Sequence, residues 1–283
     1  MNILTFDIED WWVYDYYALG DSNEYLPRLE KYLNEILDLL DEKETKATFF
    51  CLAKVAEKYP KVVQTIIQRG HHIGCHSYSH KFFGDMVPVD VRNDTRKALD
   101  IIQNVTGKQV TAYRAPAFSI TESSKWILEI LASEGIEYDS SIFPANRRFG
   151  GFENFSLNMP CIIDCNGTTI REFPISTARI GGREIVYSGG GYFRLLPYCL
   201  IKSITKQSEY MITYFHIKDF DKRQKRQFVS FYGESAVTNY FKSYFGIKNS
   251  FSKFKKFVSD FDFMSLEQAA NAIDWTKVPS VHI

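Results

Sequence analysis

The sequence contains no long apolar run and no excess of charge of either sign. No stretch of the 283-residue chain approaches the roughly 18 apolar residues of a transmembrane helix. Lysine and arginine total 34, as do aspartate and glutamate, so nothing favours a nucleic acid or an anionic membrane surface as a partner. The chain starts directly with a strand pattern and not with the charged and apolar regions of a signal peptide. We therefore expect a cytoplasmic protein without a membrane-spanning segment or a nucleic-acid partner.

Cysteine is also scarce, with five residues scattered along the chain. An odd and irregularly spaced set is not a disulfide framework. Cys161 and Cys165 could contribute to a metal site, but free and buried thiols are the favoured interpretation. Aromatic residues, in contrast, make up 16% of the chain. We expect many of them in the core and the remainder along a groove, because aromatic faces suit sugar rings as well as core packing.

Apolar periodicity predicts strands and helices that alternate along the chain. The predicted strands cover residues 3–6, 47–51, 72–75, 110–113, 136–138, 169–173, 210–215 and 262–264. The predicted helices cover residues 27–42, 53–69, 88–106, 121–134, 195–206, 236–245, 250–260 and 266–273. This alternation favours parallel βαβ units, and a barrel of such units takes about 250 residues. We predict a single α/β domain over residues 1–283, a distorted (β/α) barrel of about seven or eight strands, in which residues 221–283 complete a motif-bearing core.

Polar residues follow the ends of the predicted strands. They are Asp7, His76, Arg114, Asp139 and His216. Scattered core histidines and surface acids would have no reason to sit at these positions. Because barrels of this type carry their chemistry on the loops after the strand C-termini, these side chains are predicted to meet at one mouth of the barrel.

Two histidines, His76 and His80, are spaced four residues apart. In a helical turn they would share one face, and two neutral imidazoles so placed can reach a single cation. The acidic residues within 7–10 could complete such a site. Histidine pairs at this spacing also occur as surface or capping residues, so the pair alone does not establish a metal site.

Five short motifs occur in a fixed order along the chain. They are Thr5-Phe6-Asp7 with Glu9-Asp10, His76-Ser77-Tyr78-Ser79-His80, Arg114-Ala115-Pro116, Asp139-Ser140-Ser141 and Phe215-His216. In this order the motifs resemble those of the polysaccharide deacetylases of the NodB-homology type, carbohydrate esterase family 4. The F-D-x-E-D form of the first motif, together with residues 189–195, is similar to one branch of that family. The resemblance extends over residues 1 to about 220.

The resemblance implies a divalent metal held by His76, His80 and one carboxylate. Zn²⁺ is the first choice, with Co²⁺, Ni²⁺ or Mn²⁺ as alternatives. Most family members have two adjacent aspartates in the first motif, one the base and one the ligand. Here Asp7 matches the base, and the ligand is either Asp10 or Glu9. We favour Asp10, because the chain must turn after the strand.

The resemblance also implies the reaction, the hydrolysis of an N-acetyl group on a sugar of a polysaccharide or of its biosynthetic intermediate. Asp7 would act as the general base on a metal-activated water molecule. Arg114 would lie beside Asp7 and keep its carboxylate ionised and oriented. His216 would donate a proton to the leaving amine. The implied partner is therefore an N-acetylated carbohydrate.

Four further residues are candidates for substrate binding. The backbone N–H of Ala117 could stabilise the oxyanion, and Trp12 and Tyr192 could line a sugar groove or pack in the core. Asp139 could act directly or could support a structural turn. Two other functions remain open: a cyclic amidase related to allantoinase, and a non-catalytic carbohydrate-binding protein with the same fold. The presence of both ligand histidines, the base and the acid counts against these two alternatives.

Overall fold

The computed structural model describes residues 1–9, 26–145, 150–224, 226, 228–230 and 235–283. Two residues of the predicted site, Asp10 and Trp12, lie outside these ranges, so their placement stays a prediction. None of the helices in the described ranges combines the length and the apolar character needed to cross a bilayer.

One large and mostly parallel sheet forms the frame of the described residues. The strands are β1 (Asn2–Ile3), β2 (Thr5–Ile8), β3 (Thr48–Cys51), β4 (His72–Cys75), β5 (Ala112–Tyr113), β6 (Tyr138–Asp139), β7 (Cys161–Cys165), β8 (Thr168–Glu172), β9 (Thr177–Ile180), β10 (Arg183–Val186), β11 (Met211–Ile212), β12 (Phe215–His216) and β13 (Ser280–His282). Within this part of the chain the order of the main sheet is β12-β2-β3-β4-β5-β6-β8-β7-β13. From β12 to β8 every neighbouring pair is parallel. Strands β1 and β11 form a short parallel pair, and β9 and β10 form a hairpin.

Helices fill most of the connections between the parallel strands. They are α1 (Leu26–Glu42), α2 (Ala53–Lys58), α3 (Pro60–Gln68), α4 (Pro88–Thr106), α5 (Trp126–Ser133), α6 (Gly190–Leu195), α7 (Tyr198–Gln207), α8 (Ala236–Tyr244), α9 (Ser250–Asp260) and α10 (Leu266–Ala272). The apolar residues that predict α1 by their helical spacing, among them Leu29, Leu33 and Ile36, are all buried against the sheet layer. Helix α4 ends at Gly107, whose left-handed conformation (φ +65°) closes the last turn.

The α/β class is confirmed, and the parallel strands follow the predicted order. The two ends of the described ladder, β12 and β13, are not hydrogen-bonded to each other, so the sheet does not close into a complete barrel there. Strands β7, β9, β10 and β13 are absent from the predicted set. The β7–β8 pair is an antiparallel hairpin whose turn residues Asn166 and Gly167 both have positive φ, the arrangement typical of an Asn-Gly turn. Among the described residues, residues 262–264, predicted as a strand, form only an isolated β-bridge, which joins Met264 to Ile3.

The parallel strands run in one direction, so their carboxyl ends meet at one edge of the sheet. Strands β2, β4, β5, β6 and β12 all end at this edge. In each of them a polar residue is either the last residue of the strand or the first residue after it. Below this edge, aromatic side chains fill the core between the sheet and the helices. Phe6 stacks on Phe49 with ring centroids 4.9 Å apart, and Phe215 and Phe254 pack beside them. The predicted polar residues therefore meet above an apolar floor.

Candidate metal-binding and catalytic site

Backbone hydrogen bonds fix the residues that follow the strand ends. The N–H groups of His76, Arg114 and Ser140 donate to the carbonyl oxygens of the preceding strand in the sheet at 2.9, 2.9 and 3.0 Å. Each of the three is the first residue after its own strand. The main chain at these positions is therefore part of the sheet ladder, and the side chains start from a rigid base.

Asp7 and His216 are directly opposite each other on the neighbouring strands β2 and β12. The Nε2 atom of His216 lies 3.8 Å from Oδ2 of Asp7 and 3.6 Å from Oε1 of Glu9. Both carboxylates are buried. The side chain of His216 is 18% exposed, so the imidazole lies between the buried acids and the solvent.

Glu9 brings the two predicted ligand histidines together. Its Oε1 atom lies 3.1 Å from Nε2 of His76 and 2.8 Å from Nε2 of His80. The prediction of a helical turn over His76 and His80 is wrong. Residues 77–80 form a loop in which Ser77 and His80 have φ values of +65° and +58°. This loop is held by the His80 N–H, which donates to Oγ of Ser77 at 3.0 Å.

The hydrogen bond on the far side of the His76 ring determines what Nε2 can bind. Nδ1 of His76 lies 2.7 Å from the carbonyl oxygen of Arg114, which can only accept, so Nδ1 carries the proton. In the neutral ring Nε2 is then an acceptor, and it faces another acceptor, the Oε1 atom of Glu9. Two buried lone pairs at this distance require a proton or a cation between them.

Arg114 is fully buried and has a hydrogen-bond partner for each of its donors. Its guanidinium donates to Oδ1 of Asp7 at 2.9 Å and to Oγ1 of Thr5 at 2.8 Å. It also donates to the carbonyl and Oγ of Ser140 and, at 3.5 Å, to the carbonyl of Thr213. The Phe50 ring lies 4.2 Å from the guanidinium carbon and closes one face. These contacts fix the direction in which Asp7 presents its second oxygen.

Two residues that the sequence analysis did not single out support His216. Oδ2 of Asp219 accepts a hydrogen bond from the backbone N–H of His216 at 2.9 Å and lies 3.4 Å from Nδ1 of its ring. Arg194, on α6, forms a buried ion pair with Asp219 and donates to the carbonyls of Lys242 and Ser243 at the end of α8. The His216 ring therefore has a carboxylate on its Nδ1 side and presents Nε2 to Asp7 and Glu9. The only sequence signal for Asp219 is an acid three residues after a strand-end histidine.

The charges around the site are balanced by close opposite charges. Burial would raise the pKa of Glu9, but the charges of His80 and Lys218 hold it well below its ordinary value. Nζ of Lys218 lies 3.3 Å from Oε2 of Glu9, the oxygen that does not face His76 and His80. Burial lowers the pKa of His80, and the Glu9 carboxylate only partly opposes this shift. Burial would also lower the pKa of His216, but the Glu9 and Asp219 carboxylates raise it.

The residues predicted to bind substrate differ from one another in burial and in the element that carries them. Asp139 is fully buried and accepts two hydrogen bonds from Ser141, so of its two proposed roles the geometry favours support of the turn. Ala117 lies in the 3₁₀ turn Pro116–Phe118 with a φ of +52°. Tyr192 is 48% exposed on α6, two residues before the buried Arg194. Trp12 lies outside the described residues.

Two protein-family models match the chain in succession. The polysaccharide deacetylase family matches residues 3–138, and a domain of unknown function, DUF3473, matches residues 140–271. The first segment contains Asp7, Glu9, His76, His80 and Arg114, and the second contains Arg194, His216 and Asp219. Both matched segments therefore contribute side chains to the site.

Several known proteins are similar to parts of the chain. A peptidoglycan-N-acetylglucosamine deacetylase of Bacillus cereus is 38% identical over 111 residues, which are 39% of this chain and 38% of the relative. A peptidoglycan deacetylase of Helicobacter pylori is 28% identical over 107 residues, 38% of this chain and 36% of the relative. The chain thus spans less than two-fifths of the length of these relatives. A solved structure from Mycobacterium smegmatis, assigned as a polysaccharide deacetylase, shares the fold with a TM-score of 0.63 and 15% identity over 98% of this chain and 91% of that one.

Proposed function

Residues 3–138 of this chain belong to the polysaccharide deacetylase family, and from this premise we propose that the protein is a metal-dependent hydrolase that removes N-acetyl groups from a sugar. The substrate is a polysaccharide or its biosynthetic intermediate. The observation that carries the proposal is the convergence of Glu9, His76 and His80 beside Asp7 and His216. The relatives named as peptidoglycan deacetylases support an N-acetylated amino sugar as the substrate class.

The donor set at Glu9 supports a divalent cation. Two imidazole nitrogens and one carboxylate oxygen are typical ligands of Zn²⁺, with Co²⁺, Ni²⁺ or Mn²⁺ as alternatives. Nε2 of His76 and Oε1 of Glu9 lie 3.1 Å apart and need a proton or a cation between them, and a divalent cation would meet this need. The ligands would be these two atoms and Nε2 of His80, and Asp10 remains the alternative carboxylate. A bound divalent cation supplies Lewis-acid chemistry, because it polarises a carbonyl group and acidifies a water molecule.

The two oxygens of Asp7 have different surroundings, and this difference supports its role as the base. Oδ1 is held by Arg114, whereas Oδ2 lies on the side of His216 and takes the proton of the attacking water. The permanent charge of Arg114 keeps the Asp7 carboxylate ionised and oriented in a buried position. A positioned general base typically contributes about 10²–10⁴-fold to the rate.

His216 donates the second proton of the reaction. Its Nε2 atom faces the site and transfers a proton to the leaving amine, without which the amine is a poor leaving group. Asp219 holds the ring by its other edge, and Arg194 in turn holds Asp219. We keep Tyr192 and Trp12 as candidates for the sugar groove and the backbone N–H of Ala117 as a candidate oxyanion donor.

Acetate release from N-acetylglucosamine oligomers and peptidoglycan fragments, with and without a chelator, tests the proposal. Asp7→Asn and His216→Ala are expected to lower turnover by at least about 100-fold while calorimetric Zn²⁺ binding is retained. Glu9→Ala and His80→Ala are expected to lose Zn²⁺ binding, and Asp10→Ala separates the two candidate carboxylates. Asp274→Asn, at an exposed ion pair, is the matched control.

Three outcomes would contradict parts of this proposal. Near-normal turnover in either Asp7→Asn or His216→Ala would remove that residue from its assigned role. Activity that survives complete chelation would favour a metal-free amidase. Zn²⁺ binding together with glycan binding but no acetate release from any substrate would favour a non-catalytic carbohydrate-binding protein.

A further inference from the structure

Two buried carboxyl groups lie side by side beneath the site. Asp139 and Glu172 are register partners on the parallel strands β6 and β8, and both are 0% exposed. Register partners on neighbouring parallel strands point their side chains to the same face of the sheet, so the two buried carboxyl groups lie next to each other. A carboxylate has no donor, so a hydrogen bond between two carboxyl groups requires a proton on one of them.

The donors around the pair indicate which group carries the proton. Both oxygens of Asp139 already accept hydrogen bonds from Ser141, Oδ1 from the hydroxyl at 2.6 Å and Oδ2 from the backbone N–H at 3.0 Å. Oε1 of Glu172 accepts from the N–H of Ile142 at 3.0 Å. Oε2 of Glu172 is fully buried and receives no donor from the described residues. The negative charge is therefore stabilised on Asp139, and Oε2 of Glu172 is the atom with a place for a proton.

We propose that Glu172 is a neutral carboxylic acid that donates a hydrogen bond to Asp139, and that this pair positions Arg114 beside Asp7 by holding the turn at residues 139–141. The hydroxyl of Ser141 links Asp139 to the backbone N–H of Ala115, which donates to it at 2.8 Å. The carbonyl and Oγ of the adjacent Ser140 accept two of the Arg114 hydrogen bonds. The catalytic meaning of this positioning rests on the proposed deacetylase function, whereas the shared proton does not.

The charge balance around Arg114 supports one proton on the pair. Burial raises the pKa of Glu172, and the Asp139 carboxylate raises it further. Burial also raises the pKa of Asp139. The other titratable groups that interact with the pair are Tyr113, Tyr210 and the thiols of Cys161 and Cys165, and burial raises the pKa of each so that they stay neutral. Arg114, the cation near the pair, is already bonded to Asp7, so a charge on Glu172 would place a second negative charge without its own counterion directly beside Asp139.

Two replacements of Glu172 test the proton and the positioning. In Glu172→Gln the amide N–H₂ takes the place of the protonated oxygen, and in Glu172→Leu the donor is lost. Infrared spectra at neutral pH are expected to lose the C=O band of one protonated carboxylic acid in Glu172→Gln, but not in the exposed control Glu137→Gln. In the wild type the pKa of Glu172 is higher in the folded state than in the unfolded state. The protonated folded state is therefore favoured at low pH, and this stability is lost as the pH rises towards the folded-state pKa of Glu172. The folding constant relative to Glu172→Gln should therefore fall tenfold per pH unit above about pH 5, until the pair ionises.

The positioning has a readout that does not need activity. The slowly exchanging Nε–H resonance of Arg114, which donates to the Ser140 carbonyl, is expected to be unchanged in Glu172→Gln and displaced in Glu172→Leu. If the protein releases acetate, kcat should stay within about twofold in Glu172→Gln and fall by about 10²-fold in Glu172→Leu, with KM little changed.

The failures are distinguishable. An unchanged infrared spectrum or a pH-independent ratio of folding constants would overturn the shared proton. An identical Arg114 resonance in both variants would overturn the positioning. A protein that deacetylates no substrate but passes both tests would refute the proposed function and leave this inference standing.

Discussion

Replacing Arg114 with methionine removes a buried cation and leaves its anion in place. Two of the neutral groups that Arg114 bonds keep another partner after the change. The Thr213 carbonyl still accepts from the hydroxyl of Thr5, and Oγ of Ser140 still donates to the Phe173 carbonyl. The group left without its counterion is the Asp7 carboxylate, which is 2% exposed. Breaking a buried pair in this way costs about 3–5 kcal/mol. That is a large part of the roughly 5–15 kcal/mol by which domains are stable.

Urea unfolding of the Arg114→Met protein measures this cost, with Lys202→Met as the control. Lys202 pairs with Asp260 at 2.8 Å, but both side chains are partly exposed, so its loss is expected to cost less than about 1 kcal/mol. Adding Asp7→Asn to Arg114→Met removes the stranded charge, and the double-mutant cycle should give an interaction energy of about 1–3 kcal/mol. The reasoning is refuted if Arg114→Met costs no more than Lys202→Met, or if the two site changes simply add.

Two further predictions concern the supports of the site. Asp219→Ala removes the carboxylate beside Nδ1 of His216 and should lower kcat by about 10²-fold with little change in KM, because the ring is no longer held in one orientation; a steady-state assay with unchanged kcat would contradict this role. Gly189→Ala would place a Cβ atom 2.4 Å from the backbone carbonyl oxygen of Tyr214. This clash should lower the free energy of unfolding by about 1–3 kcal/mol. Gly84→Ala, where no atom lies within 4 Å of the added methyl group, is its control, and equal thermal midpoints for the two variants would be the contrary result.

Long helices and buried parallel strands could be predicted from the sequence, because their signals are local. The helical spacing in α1, the Pro88 start and Gly107 end of α4, and the restart at Pro60 all lie within the segments that they define. The β7–β8 hairpin was missed although its Asn166-Gly167 turn is a local signal of the same kind. Strand β13 was missed because three residues at the end of a chain carry almost no periodicity, and pairing with β7 alone makes them a strand.

For the candidate site, the sequence by itself determined which residue types stand at the strand ends and in what order. That order follows from motifs a few residues long, and it was sufficient to name His76, His80, Asp7, Arg114 and His216. Only the tertiary structure decided that Oε1 of Glu9 meets both imidazoles, since this depends on a loop with two left-handed residues. It also decided that Asp219 and Arg194 support His216 and that Asp139 lies beside Glu172. Such contacts depend on the register of strands and helices that are distant in the chain, and no local pattern specifies that register.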